Sequence, residues 1–194
     1  MKSVIVGIDP GQKGALAVLV DDLALDVYDL KDCIKVTGSF RSLDPVLFNA
    51  LVNRAISHFE PEDIAIFCEE AQVMGGRGTK ASNISMRSIY DSRGVMRSVF
   101  FPRGYQFTYI QPQSWKRYFG LLKQNKEETT KENKARSVRK ACEMFPEYKD
   151  FFTKPWRGKD IPLDGRAEAS LIAFYGTLIL KGEICNGKKK NTCR

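Results

Sequence analysis

Three short apolar segments follow one another at the start of the chain, and turn-forming residues separate them. The first, residues 3–9, contains the run Val-Ile-Val-Gly-Ile and ends in Asp-Pro-Gly, which is typical of a buried strand leaving a sheet. Residues 14–20 and 23–29 are predicted as the second and third strands, with Asp21 and Asp22 in the hairpin turn between them. We therefore predict that roughly the first 30 residues form adjacent strands of one sheet.

Helical and strand patterns alternate after these three strands. The predicted elements are a helix over 43–59, a strand over 64–68, a helix over 79–100, a strand over 105–110, and helices over 114–119, 131–144 and 164–180. We expect the polar segment 121–130 to be mobile and residues 154–163 to form a loop. The order predicts an α/β fold with one mixed five-stranded sheet flanked by helices. A single domain would occupy residues 1–180, followed by a basic, flexible tail over 181–194.

Charge is distributed unevenly along the chain. Residues 1–76 hold six Lys or Arg against twelve Asp or Glu, whereas the remainder holds twenty-five against eleven. An acidic front with a basic back suits a protein that gathers metal in one region and binds a polyanion with another. The alternative is a solvated basic surface without a dedicated partner. No stretch has the roughly 18 uncharged apolar residues of a membrane span, so we expect a cytoplasmic protein without a membrane partner.

Cysteine and histidine usage excludes several chemistries. The five cysteines are scattered without a Cys-x-x-Cys pair, which favours reduced packing thiols over disulfides or a zinc site. His58 is the only histidine, so mechanisms that need several histidines are excluded.

Carboxylates stand at the ends of two predicted strands and at the start of the last helix. Asp9 and Glu69 follow strands, where open α/β sheets place their ligands. Asp164 and Glu168 lie four residues apart, on one face of the last helix. Hard oxygen donors of this kind select Mg²⁺ or Mn²⁺, and a pair of such ions can drive phosphodiester cleavage. We therefore predict that these four residues are catalytic metal ligands.

Each of these carboxylates also has a purely structural interpretation. Asp9 could start the Asp-Pro-Gly turn, Asp164 could be the N-cap of the last helix, and Glu168 could be exposed. Asp160 competes with Asp164 as the third ligand, although Pro162 favours a position outside the helix.

Four motifs, in this order over residues 3–180, resemble those of the RuvC-like Holliday-junction resolvases, and phage-type members most of all. They are Ile-Val-Gly-Ile-Asp-Pro-Gly over 5–11, Phe-Cys-Glu-Glu-Ala-Gln over 67–72 with a glycine-rich loop, Gln-Pro-Gln-Ser-Trp-Lys over 111–116, and Asp-Gly-Arg-Ala-Glu-Ala over 164–169. The resemblance favours Glu69 over the adjacent Glu70 as the ligand, because Glu69 keeps the family's spacing to Met74. The acidic pair departs from the family, whose best-known members carry two Asp three residues apart.

The resemblance implies an RNase H-like fold and a Mg²⁺-dependent endonuclease, with Mn²⁺ as a substitute and two ions per site. Its substrate would be a Holliday junction or related branched DNA, in recombination and repair. Phage or organellar members would place it in the host cytoplasm or an organelle. No small-molecule cofactor is implied.

Basic residues in the second half supply candidate DNA contacts. Residues 77–103 hold six Lys or Arg against one acid, and residues 116–140 hold nine against three. The candidate DNA-binding residues are Arg77, Lys80, Arg87 and Lys116. The resemblance further implies a homodimer through the helix over 79–100, whose small residues Ala81, Ser88 and Ser92 would permit close packing or could equally face the sheet.

Three other functions fit parts of the sequence. A YqgF-like RNA-processing nuclease shares the first motif but is usually shorter. A phosphate-binding module of the actin and sugar-kinase type also begins Gly-Ile-Asp-x-Gly, but it needs two domains. A non-catalytic nucleic-acid-binding protein would need only the basic half, and the four carboxylates would then be unexplained.

Overall fold

The computed structural model describes residues 3–70, 80–123, 128–185 and 188–189. Its centre is a five-stranded sheet. The strands of the chain are β1 (Val4–Ile8), β2 (Ala15–Val20), β3 (Ala24–Asp29), β4 (Ile34–Thr37), β5 (Phe40–Leu43), β6 (Ile64–Glu69), β7 (Gln106–Ile110), β8 (Thr153–Trp156), β9 (Lys159–Pro162), β10 (Ile184–Cys185) and β11 (Lys188–Lys189). The central sheet has the order β3-β2-β1-β6-β7. The first three strands are antiparallel, and β6 and β7 run parallel to β1.

Helices cover both faces of this sheet. They are α1 (Pro45–Ile56), α2 (Lys80–Phe100), α3 (Pro112–Tyr118), α4 (Thr130–Met144) and α5 (Asp164–Leu180). One apolar core joins the sheet to α3, α4 and α5, and a second core joins the other face to α1 and α2. Within the described residues, no helix is both long and apolar enough to cross a bilayer. The predicted mixed five-stranded sheet flanked by helices is confirmed.

Strand alternation assigns each residue of β1 to one of the two cores. Val4, Val6 and Ile8 belong to the core on the α1 and α2 side, whereas Ile5 belongs to the core beneath α5. Gly7 shares the α5 face, and a Cβ atom built on it would lie 2.2 Å from the carbonyl oxygen of Ala169. Helix α5 therefore lies directly on the first strand, which is possible only because residue 7 has no side chain.

The predicted turn between β2 and β3 is confirmed. Asp21 and Asp22 have φ angles of +50° and +62°, the left-handed conformation at both central positions of a tight hairpin. Aspartate tolerates this conformation better than most residues do. The other predicted strands and helices agree with the structure to within about three residues at each end, the usual uncertainty of element boundaries.

The prediction of a loop over residues 154–163 is wrong, because β8 and β9 form an antiparallel hairpin there. Arg157 and Gly158 form its turn with φ angles of +48° and +73°. Arginine is uncommon at such a position, so the sequence lacks the Asn-Gly or Asp-Gly signal that indicates a tight hairpin. Pro155 and Pro162 also argued against strands, although an isolated two-stranded hairpin has outer edges that tolerate proline.

The hairpin formed by β4 and β5, which packs against α2, was not predicted from the sequence. The backbone N–H groups of Arg41 and Leu43 donate to the hydroxyl oxygens of Ser88 (3.4 Å) and Ser92 (3.2 Å). Both serines therefore contact the chain's own hairpin, so they do not offer a free surface for a partner helix. The side chain of Ala81 lies outside the described residues.

The two ends of the segment 121–130 are held in place, in contrast to the expected mobility. Leu121 is buried, and its carbonyl oxygen accepts from the Asn133 amide (3.0 Å) and Arg136 (3.2 Å). Thr129 and Glu132 form a capping box at the start of α4. Residues 124–127 lie outside the described residues. In the tail, residues 184–185 pair with residues 188–189.

An ion pair fastens the end of β3 to α5. The Arg166 guanidinium donates to both carboxylate oxygens of Asp29 (2.7 and 3.0 Å), and Lys31 lies 2.8 Å away. These contacts, and the Arg166 hydrogen bonds above all, lower the pKa of Asp29 to about 2. A depressed folded-state pKa stabilises the fold above the unfolded value, and this stabilisation is lost as the pH falls from about 4 to about 2.

We expect Asp29→Asn to lower the free energy of unfolding by about 2 kcal/mol at pH 7. The difference from wild type should shrink below pH 4, because the native carboxylate is then itself being protonated. Urea unfolding at a series of pH values measures this, with Asp26→Asn, at an exposed site on the same strand, as the control. A loss that stayed constant down to pH 2 would show that the carboxylate charge is not the cause.

Candidate active site

The register of the sheet places two of the predicted carboxylates side by side. Ile8 of β1 pairs with Cys68 of the parallel strand β6, so Asp9 and Glu69 occupy the next positions of neighbouring strands. Both follow the alternation of the residues that face α5, since Phe67 belongs to that core. Neighbouring strands are about 4.8 Å apart, so the two side chains leave the same sheet edge on the same face.

Helix α5 brings the other two carboxylates to this edge. Asp9, Asp164 and Glu168 line one cleft of about 410 Å³. The cleft is also lined by Gly11, Gln12, Lys13, Gly14, Lys116, Asn133 and Lys134. Glu69 is linked to it through Lys116, whose ammonium nitrogen is 3.9 Å from Glu69 Oε2 and 3.4 Å from Glu168 Oε2. The structure therefore brings all four predicted site residues together.

Asp9 has the most perturbed electrostatic environment of this group. Burial, followed by the negative charges of Glu168 and Glu69, raises its pKa to about 7. A hydrogen bond from the Gly11 N–H to Asp9 Oδ1 (3.0 Å) acts in the opposite direction. Asp9 thus forms the Asp-Pro-Gly turn and also lies among the candidate site carboxylates. The structural role and the predicted ligand role of this residue are therefore compatible.

Glu69 is oriented by a buried indole. Trp115 of α3 is fully buried, and its Nε1–H donates to Glu69 Oε2 at 2.8 Å. Burial raises the pKa of Glu69, while Lys116 and the Trp115 hydrogen bond lower it. The adjacent Glu70 is held away from this group by the Gln111 side chain, to which it is hydrogen-bonded. Strand alternation therefore supports Glu69 as the site residue.

The carboxylates of α5 are held by residues of α4. The Ser137 hydroxyl donates to Glu168 Oε1 at 3.0 Å, and Lys134 forms an ion pair with Asp164. Asp164 is the first residue of α5, and Leu163 is its N-cap, so the N-cap interpretation of Asp164 is wrong. Asp160 is an exposed residue of β9 and does not line the cleft.

The donor set fits a hard divalent cation, although the present side-chain arrangement does not form a closed site. Within the described ranges, no three Asp, Glu, His or Cys side chains converge closely enough to coordinate one ion. Instead, the Lys116 ammonium group bridges Glu69 and Glu168, and Lys134 pairs with Asp164. Two ammonium groups lie beside these carboxylates, and yet the pKa of Asp9 is raised. The negative charge of the cluster is therefore only partly offset, which favours the binding of a further cation.

The predicted DNA-binding residues have different surroundings. Lys116 lies inside the carboxylate group, with 23% of its side chain exposed. Arg87 is exposed on α2, where its guanidinium stacks over the Phe40 ring at 4.1 Å. Arg77 and the side chain of Lys80 lie outside the described residues.

Sequence reasoning did not identify the roles of Trp115, Lys134 and Ser137. Trp115 stood inside a recognised motif, but its burial against Glu69 could not be foreseen. Lys134 and Ser137 lie three residues apart, which places them on one face of α4. That spacing is the only local signal, and nothing in the sequence links α4 to the acidic face of α5.

The sheet order and the placement of α5 across β1 bring the acidic residues to one edge of a mixed sheet. Two similar solved structures are RuvC of Thermus thermophilus in complex with a Holliday junction substrate (16% identity, TM-score 0.48) and a further Thermus thermophilus RuvC structure (15% identity, TM-score 0.49). Each alignment covers 96% of this chain and 99% of the RuvC chain. No family model and no curated protein sequence matches.

The sheet topology explains why residues distant in sequence meet at one edge. Two parallel strands, β1 and β6, end at the same side of the sheet, and α5 packs across both, with Ala169 against β1 and Gly176 against β6. A Cβ atom on Gly165 would lie 2.0 Å from the Lys13 carbonyl oxygen, so the start of α5 is in close contact with the loop after β1. This close contact fixes Asp164 beside the loop after Asp9.

Proposed function

We propose that this protein is a divalent-metal-dependent endonuclease that cuts branched DNA, with the four-way junction as its principal substrate. The observation that carries the proposal is the half-buried Asp9 carboxylate beside Glu69 and Glu168, in a cleft that is bordered by lysines. Carboxylates concentrated at one point of an otherwise basic chain suit the cleavage of a polyanion.

Asp9, Glu69, Asp164 and Glu168 are the residues that would hold Mg²⁺ or Mn²⁺, with two ions per site. Bound ions of this kind activate a water molecule and stabilise the leaving oxygen of a phosphodiester.

The chain's own residues provide orientation and charge. Trp115 and Ser137 each donate a hydrogen bond to one ligand carboxylate, which restricts the rotation of Glu69 and Glu168. Lys116 and Lys134 have long flexible side chains, so they can turn from the carboxylates to a phosphate group when DNA enters. Lys13 lines the same cleft and adds a third positive charge.

Symmetric cutting of a four-way junction requires two active sites, so we propose that the working form is a homodimer. Its interface would have to use a surface other than the Ser88 and Ser92 face of α2, because those residues contact the β4–β5 hairpin. Light scattering of the protein, free and bound to a junction, tests this assembly.

The experiment that tests the activity compares labelled junction, fork, flap and duplex DNA, with Mg²⁺ and with EDTA. We expect Mg²⁺-dependent cleavage of the junction and no cleavage of the duplex. Binding without cleavage under any metal condition would contradict the proposal and favour a non-catalytic binding protein. Preferential cleavage of RNA would favour an RNA-processing nuclease.

A pair of variants tests the third ligand in the same assay. Asp164→Asn should lower the cleavage rate by about a hundredfold or more, because an amide cannot supply the anionic oxygen. Asp160→Asn, whose side chain is exposed on β9, should cleave within about twofold of wild type, as expected for a surface change. Loss of cleavage at Asp160 with none at Asp164 would move the third ligand out of the helix.

A further inference from the structure

The β8–β9 hairpin carries an exposed indole among basic side chains. Trp156, next to its turn, is 54% exposed, and the Arg157 guanidinium lies 5.5 Å from the centre of the ring. Lys154 and Lys159 are exposed on the same two strands, against a single acid, Asp160. A flat aromatic ring with cations on both strands is the combination that binds unpaired nucleic acid, through stacking and phosphate contacts.

The hairpin begins beside the candidate active site. The Leu163 N–H donates to the Phe152 carbonyl oxygen at 2.8 Å, which closes the base of the hairpin immediately before Asp164. Pro162 lines a cleft of about 290 Å³ together with Lys13 and Asp164. The base of the hairpin and the carboxylate group therefore share one edge of the molecule.

The dimensions of the hairpin suit a contact close to the cleavage point. Trp156 is three residues from Thr153 at the base of the hairpin, which corresponds to about 10 Å along a strand. One DNA strand rises about 3.4 Å per nucleotide, so the indole can reach a base about three nucleotides beyond the point where the hairpin begins.

We propose that the β8–β9 hairpin binds the branch point of the DNA, where Trp156 stacks on a base that has lost its neighbour. Arg157, Lys154 and Lys159 contact the flanking phosphates. A fully paired duplex offers only its phosphates to this hairpin, because its bases are already stacked on each other. The hairpin thereby distinguishes branched from linear DNA. This inference rests on the proposed function, since it names the part of the DNA that the same site receives.

Tryptophan fluorescence tests the contact without cleavage. The chain has two tryptophans, and Trp115 is fully buried, so quenching by added DNA reports on Trp156. In EDTA and at one fixed salt concentration, a four-way junction should quench the wild-type emission, and a duplex of equal length should not. Trp156→Phe removes this signal and leaves the Trp115 emission as the baseline.

Affinity measurements provide the second arm. Trp156→Ala should weaken junction binding by about tenfold, the loss expected for one base–aromatic stack, and should change duplex binding by less than about twofold. Trp156→Phe, which keeps a ring, should lie between wild type and alanine. Val36→Ala, at a 60% exposed residue of the β4–β5 hairpin, is the matched control and should bind like wild type.

The outcomes separate this inference from the proposed function. If the wild-type protein cleaves junctions while Trp156→Ala binds them normally and no quenching occurs, the hairpin contact is wrong and the nuclease proposal stands. Equal quenching by duplex would overturn the branch-point contact, and so would an emission change that depends on protein concentration without DNA. Quenching and discrimination without any cleavage would support the hairpin contact and contradict the nuclease.

Discussion

Asp9→Asn is expected to abolish cleavage and, at the same time, to make the metal-free protein more stable. The amide lacks the anionic oxygen that a metal requires, so the cleavage rate should fall by about a thousandfold or more. The asparagine oxygen can still accept the hydrogen bond from Gly11, so the turn after β1 is kept. Removing a charge that partial desolvation and then Glu168 and Glu69 disfavour should raise the free energy of unfolding by about 2 kcal/mol at pH 8.

Cleavage assays with Mg²⁺ and urea unfolding in EDTA measure the two effects on one protein. Glu62→Gln, at an exposed carboxylate in the turn before β6, is the control and should change neither. A variant that lost both activity and stability would indicate that Asp9 mainly supports the turn. Cleavage near the wild-type rate would remove Asp9 from the active site.

Gly7→Ala is expected to lower the free energy of unfolding by about 3 kcal/mol or more, because the added methyl group would overlap backbone atoms of α5. Its Cβ would lie 2.2 Å from the Ala169 carbonyl oxygen and 2.4 Å from the Ala173 nitrogen, both in the α5 backbone. Backbone atoms inside a helix cannot turn aside as a flexible side chain can. The whole helix would have to move away from the sheet, and Asp164 and Glu168 would move with it.

Chemical unfolding in EDTA measures this cost, and Gly94→Ala is the matched control. Gly94 lies in α2, and a Cβ atom added to it would have no neighbouring atom within 4 Å, so alanine should be neutral or stabilise that helix by up to about 1 kcal/mol. A Gly7→Ala protein as stable as wild type would show that the α5 backbone does not pack this closely against Gly7. Reduced junction cleavage in a folded Gly7→Ala protein would show that the site depends on this close contact.

Much of the fold was predictable because its determinants are local. The apolar run over 4–8 ends at Asp9, and β6 ends at Glu69, so the strand ends and their carboxylates could be assigned from the sequence. The four-residue spacing of Asp164 and Glu168 is by itself enough to place both on one face of α5. These features need only the periodicity of one element.

The remaining features depend on contacts between distant parts of the chain. The pairing of Lys134 with Asp164, and of Ser137 with Glu168, requires α4 to lie against α5, which no local pattern specifies. The role of Ser92 likewise depends on the packing of α2 against the β4–β5 hairpin, although the Gly38-Ser39 turn of that hairpin is a local signal that sequence reasoning missed. In each case, tertiary packing determines what a polar side chain contacts.

The two lysines among the carboxylates allow the chain to complete its fold before any metal ion binds. Lys116 spans Glu69 and Glu168, and Lys134 lies against Asp164, so the polypeptide carries its own counterions. The ammonium groups of these two lysines offset part of the repulsion among the carboxylates. Under the proposed function, completion of the fold and binding of the metal ions would be two separate events, so a shortage of metal would not leave the newly made protein unfolded.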